Sequence, residues 1–178
     1  MGTTDAFLVV RWDRPLAEWQ RFAEFASDAD VAADRRSPWW VFAVGYMSMD
    51  PDIEAEPADA LHPLVQETGA PALVAYCYDS GTVSVTGLSS EYGAWRTCLQ
   101  RESMRRYREF AGECEPFDEV FLDVPHSVHF AQLWASAAGL VPDASAIGDV
   151  LTKSTLFAED LIDELLDALG LPTRHPAR

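Results

Sequence analysis

Cationic side chains are scarce in this sequence and unevenly placed. A single lysine, Lys153, accompanies twelve arginines, and residues 37–95 contain no lysine or arginine at all. Against these 13 bases stand 29 acids, for a net charge of −16 and a pI near 4.4. Neutralising phosphates requires a Lys/Arg footprint, so the balance argues against nucleic acid as a direct ligand. It argues equally against adsorption to an anionic membrane surface.

Long apolar runs are missing too. No stretch approaches the ~18 residues of a membrane span. The N-terminal run, residues 6–10, is cut short by Arg11 and has no basic n-region before it, so no signal peptide is expected. Ala6 stands where an N-myristoylation signal has Ser or Thr. The three cysteines, Cys77, Cys98 and Cys114, are odd in number and have no paired spacing. They predict reduced thiols in a cytoplasmic protein and no disulfide framework. Dinucleotide-binding, P-loop, zinc-protease and nucleophile-elbow motifs are all absent.

What is present is enough for a core. With 178 residues, 48% of them hydrophobic, the chain fits one globular domain, residues 1–172, followed by a flexible tail at 173–178. Residues 6–12 and 39–48 are rich in β-branched and aromatic side chains and predict strands. Two apolar arms flank Asp79-Ser80-Gly81 and predict a β-hairpin over 72–88, with Gly81 free to take a positive φ. Val83 and Val85 alternate with Thr82, Ser84 and Thr86, so the second arm reads as half-buried. Residues 117–124 read as a further strand. Helical spacing predicts helices over 15–28, 58–68, 91–112, 125–139 and 154–169. In the third, Tyr92, Trp95, Leu99, Ser103, Tyr107 and Phe110 would form one packed face. Gly170-Leu171-Pro172 ends the last helix with a glycine cap and a proline stop. The class is therefore α+β, a mixed or antiparallel sheet of about five strands covered by helices.

Three constellations of ligating or nucleophilic side chains are present, each weak. Asp50, Asp52, Glu54 and Glu56 alternate as in a calcium loop, but Ala55 and Leu61 stand where that loop needs glycine and glutamate. His126 and His129 share a helix face, with Asp123 or Cys114 as the nearest further zinc ligand. A thiol nucleophile would pair Cys77, Cys98 or Cys114 with His62, His126 or His129; Cys98, beside Arg96 and Arg101, has the most favourable local field. None has the spacing to define a site, so no metal, cofactor or catalytic residue is expected.

The charge layout carries the functional expectation. Residues 113–169 hold twelve acids and only Lys153, while five arginines and one glutamate crowd into 96–108. On the last helix Glu159/Asp163, Asp160/Glu164 and Asp163/Asp167 are like-charge pairs at i,i+4, each unfavourable by about 0.2–0.5 kcal/mol. Local stability would favour a cation there, and a position that contradicts local preference invites a functional reading. The expectation is an acidic binding protein of inhibitor, immunity or antitoxin type, docking on a basic partner such as a nuclease. Its contact residues would be Asp50, Asp52, Glu54, Glu56, Glu159, Asp160, Asp163, Glu164 and Asp167, anchored by Trp39 and Trp40. The alternatives are a small enzyme using His126/His129 or carboxylates, and a subunit of an assembly, with the 96–108 helix docking on an acidic neighbour or a second copy.

Overall fold

The computed structural model describes residues 5–13, 18, 31–36, 38–45 and 57–172. Among these, six strands form one sheet: β1 (Asp5–Arg11), β2 (Val31–Arg36), β3 (Trp39–Gly45), β4 (Ala72–Tyr78), β5 (Thr82–Ser89) and β6 (Gly93–Leu99). Their order is β2-β3-β1-β4-β5-β6, and every neighbouring pair is antiparallel. The helices are α1 (Pro57–Thr68), α2 (Arg101–Ala111), α3 (Phe117–Val120), α4 (Val124–Ala137), α5 (Ala144–Thr152) and α6 (Asp160–Ala168). The fold is α+β, as its alternation of patterns predicts. Among the described residues no helix is long and apolar enough to cross a membrane.

Strand side chains alternate between two faces, and here both faces are covered. Val9, Trp39, Val41, Leu73, Val85 and Leu99 lie in one core with Trp134, Ile147, Leu151, Leu161 and Leu165 of α4, α5 and α6. On the opposite face Leu8, Val10, Phe42 and Val74 meet Leu61, Leu64 and Val65 of α1. Each fully buried Leu, Ile, Val or Phe contributes roughly 1.5–3 kcal/mol. A third, small cluster joins Cys98, Met104 and Phe121. Gly170 ends α6 at φ +86, and a Cβ there would lie 2.6 Å from the Val141 carbonyl oxygen, so the cap admits only glycine.

Several local expectations fail. Residues 91–112 are a strand followed by a helix: Trp95 and Leu99 share a face under either period, and Gln100 breaks the chain at φ 53. The polar side of β5 is buried, with Thr82 Oγ1 donating to the Leu99 carbonyl at 2.8 Å. Positive φ in the β4–β5 turn falls on Asp79 and Ser80 rather than on Gly81. Residues 117–124 hold the short α3 in place of a strand, because Phe117 and Phe121 pack on the same side beneath arginines. Strand β2 and helix α5 were not anticipated, and α6 starts at Asp160 rather than 154. All of the helix expected over 15–28 except residue 18 lies outside the described residues, as do most of the acidic loop and the whole tail.

Candidate partner-binding surface

Helix α6 presents an apolar stripe (Leu161, Ile162, Leu165, Leu166) to the core, which leaves its acids on the outer side. They are largely engaged within the molecule. Arg36 of β2, 2% exposed, donates from Nη2 to Asp163 Oδ1 at 2.6 Å and from Nη1 to Asp167 Oδ1 at 2.8 Å. The repulsive i,i+4 pair thus becomes a two-armed clamp on one guanidinium. The Lys153 ammonium lies 2.6 and 2.8 Å from the Glu164 carboxylate oxygens, placing a cation beside the middle of the acidic helix. Glu159 turns the other way and accepts a hydrogen bond from Ser80 Oγ at 2.8 Å, while the Ala158 N–H donates to the Ser80 carbonyl at 2.9 Å. Two bonds from the start of α6 thereby hold Ser80 at positive φ. Only Asp160 of these five acids is exposed with no side-chain partner among the described residues.

The tryptophan pair divides as alternation requires. Trp39 is 2% exposed and packs 5.9 Å from Trp134, so burial removes it from any anchoring role. Trp40 is half-buried, stacks on Phe42 and donates from Nε1 to the Trp12 carbonyl at 3.1 Å. Asp50, Asp52, Glu54 and Glu56 lie outside the described residues.

The arginine island is likewise turned inward, though not onto α6. The Arg101 and Arg105 guanidiniums lie 5.0 and 4.1 Å from the Phe117 ring centroid, and those of Arg96 and Arg108 lie 5.1 and 5.7 Å from Phe121. Arg108 is buried; its Nε lies 2.6 Å from Glu113 Oε2, and its Nη2 donates to the Glu115 carbonyl at 3.0 Å. Arg101 donates to the Leu122 carbonyl at 2.8 Å. Arginine suits this use, being planar and weakly hydrated. Arg105 and Arg106 remain the more exposed of the helix's guanidiniums, with side chains 40% and 76% exposed.

Both buried thiols are held in the protonated form. Burial pushes Cys77 up to about 12, reinforced by the charge of Glu159. Cys98 is also pushed up to about 12, because burial outweighs the four arginines around it. A local field read from sequence is thus overruled by desolvation. The two histidines are exposed. His126 Nδ1 lies 2.7 Å from Asp123 Oδ1, and Asp123, the N-cap of α4, also accepts the His126 backbone N–H at 2.9 Å. Those bonds hold the Asp123 carboxyl below the usual carboxylate range. Among the described residues no three His, Cys, Asp or Glu side chains gather at metal distance. A cleft of about 250 Å³ runs past Arg11, Trp12, Asp13, Glu67 and Thr68, with both charge signs on its walls.

Phe110 departs most from the sequence reading. It was placed on the packed face of a long helix and is instead 94% exposed. Once α2 begins at Arg101, its buried positions are Met104 and Arg108, and Phe110 falls on the outer side. Leu156, 83% exposed, and the half-exposed Phe157 form a second apolar projection just before α6. No family model, curated protein or solved structure matches the chain.

Proposed function

We propose that the chain is an acidic protein-binding domain of inhibitor, immunity or antitoxin type that docks on a basic partner protein, a nuclease being one such target. The observation that carries this reading is the direction of the charges. Arg36, Arg96, Arg101, Arg105, Arg108 and Lys153 are each engaged with carboxylates, carbonyls or aromatic rings of the chain itself. Glu109, Glu115, Glu119, Asp149 and Asp160 are exposed with no ion pair among the described residues. Arg11 and Arg106 stay exposed, but they are outnumbered by the displayed anions, and such an excess raises the encounter rate with cationic surfaces and disfavours anionic ones. Carboxylates in such an array would stand in for phosphates in a basic cleft.

The engagement of Asp163, Glu164 and Asp167 changes which substitutions test the idea, since neutralising them also removes structural contacts. Asp160→Asn is the informative change on α6.

The reading is tested by capturing partners of the tagged chain from an extract of the producing cells at low salt, with stepwise salt elution. One basic protein leaving at a defined salt step, and re-forming a stoichiometric complex from purified components, is the expected result. Recovery of the chain alone would remove the proposal.

A further inference from the structure

Phe110 stands near the end of α2, between Glu109 on one side and Glu113 and Glu115 just beyond the helix. Its side chain is 94% exposed, although the nearby Phe117 and Phe121 rings are covered by guanidiniums. From residue 109 to residue 152 there is no lysine or arginine. Glu109 and Glu115 make no ion pair among the described residues, and Glu113, which meets Arg108, keeps a side-chain exposure of 46%. Arg106, four residues before Phe110, is countered by Glu102 at 3.4 Å.

The platform under Phe110 is fixed. Arg101 and Arg108 tie α2 to the Leu122 and Glu115 carbonyls, and Arg105 stacks on Phe117. Gly112 at φ 73 closes the helix, with Glu113 N–H donating to the Arg108 carbonyl at 3.0 Å. A fixed helix end that projects one large apolar side chain, with exposed glutamates one residue before it and three and five residues after it, combines an apolar anchor with neighbouring anionic charge.

We propose that this corner of α2 and α3 is the primary docking face. Phe110 is its apolar anchor and Glu109, Glu113 and Glu115 its anionic rim. The occupant is a protein surface with arginines or lysines around an apolar pocket. The inference rests on the acidic-binder reading and moves its main contact away from α6. Charge selects the occupant: a second copy would bring the same carboxylates face to face, and an anionic membrane or nucleic acid would be repelled.

The test titrates a fluorescent cationic amphipathic helical peptide, with arginines flanking a leucine face, against the full chain and three variants. These are Phe110→Ser, Glu109→Gln/Glu115→Gln and Asp160→Asn. All change exposed side chains, so unchanged thermal midpoints are expected and are checked first. Wild-type chain should bind at low salt and weaken steeply towards about 0.5 M salt. Phe110→Ser should weaken binding about tenfold, as loss of an anchor does. The double Glu variant should bind more weakly and with a flatter salt dependence, and Asp160→Asn should behave as wild type. If Asp160→Asn weakens binding and Phe110→Ser does not, the docking face is wrong while the acidic-binder reading stands. Wild-type chain that ignores the peptide at low salt would overturn the docking face, whereas only failure to capture a basic partner would remove the acidic-binder reading. Self-association of the chain in sedimentation, abolished by Phe110→Ser, would assign the face to a second copy and overturn the proposal.

Discussion

Arg36 reaches across 127 residues of sequence to place its Nη2 2.6 Å from Asp163 Oδ1. The same guanidinium holds Asp167, so β2 and α6 are joined by one cation between two anions. The members of this clamp are unequally buried: Arg36 is 2% exposed, the two aspartates about half. Removing the cation leaves two carboxylates that water can solvate, whereas removing the anions takes two charge-assisted partners from a buried guanidinium. Arg36→Met should therefore cost about 2 kcal/mol, the scale of charge-assisted hydrogen bonds. Asp163→Ala/Asp167→Ala should cost more, about 3–5 kcal/mol. Urea unfolding of the two variants decides the order, and the reverse order would show that the clamp is solvated on both sides.

Burial also explains which features were legible in the sequence. The 72–88 hairpin, the strand cores at 6–12 and 39–45, the α1 and α4 segments and the Gly170 cap were all readable, because local spacing and stop signals agree there. At 91–99 they conflict: Trp95 and Leu99 lie four apart, on one face of either a helix or a strand, and only long-range pairing with β5 decides. The acidic pattern on α6 was visible as a local anomaly, but its resolution by Arg36 depends on a strand far away in sequence. Phe110 was hidden for a related reason, since its side of the helix depends on where α2 begins. The excess of acids survives as a surface property because it is compositional, whereas the choice of face belongs to the fold.

Gly87 supplies a prediction about close packing. A Cβ at this position would sit 2.3 Å from Trp95 Nε1 and within 3 Å of two further indole atoms. Trp95 is itself buried in the main core, so the ring has nowhere to retreat. Gly87→Ala should destabilise the protein by about 1–3 kcal/mol through overpacking, despite the gain in strand preference. The indole emission should shift as Trp95 is displaced. An unchanged unfolding midpoint would place the Trp95 ring elsewhere.

The three thiols should separate sharply under alkylation. Cys114 is exposed, whereas Cys77 and Cys98 are fully buried and pushed up to about 12. Near pH 8 a thiol with that value is almost wholly protonated, and the thiolate is the reactive form. Iodoacetamide should modify Cys114 alone in the native protein and all three cysteines in denaturant, as read by intact mass and peptide mapping. Rapid native labelling of Cys98 would mean that Arg96, Arg101, Arg105 and Arg108 outweigh its burial.

Asp5 should make the protein more stable as the pH falls, over a narrow range. It begins β1, opposite Gly45 of β3, and is partly buried. Burial raises its carboxyl above the usual value, and the charge of Glu159 raises it further. The same charge acts on Cys77, whose Sγ lies 3.8 Å from Glu159 Oε2, while Ser80 Oγ bonds the other carboxylate oxygen. Because the folded value is raised, the native state binds this proton more tightly than the unfolded chain does. The resulting destabilisation is absent below the unfolded value, near 4. It grows as the pH rises through the window up to the folded value, and is complete above it. Asp5→Asn removes the titration, so at neutral pH it should unfold at a higher temperature than wild type. The gain should vanish below about pH 4, where wild-type Asp5 is already neutral. Glu159→Gln removes the charge while leaving an oxygen to accept from Ser80, and should produce part of the same gain. Thermal midpoints from pH 4 to pH 7 for the three proteins test the assignment. An Asp5→Asn variant no more stable than wild type at neutral pH would show that Asp5 is solvated and unaffected by Glu159.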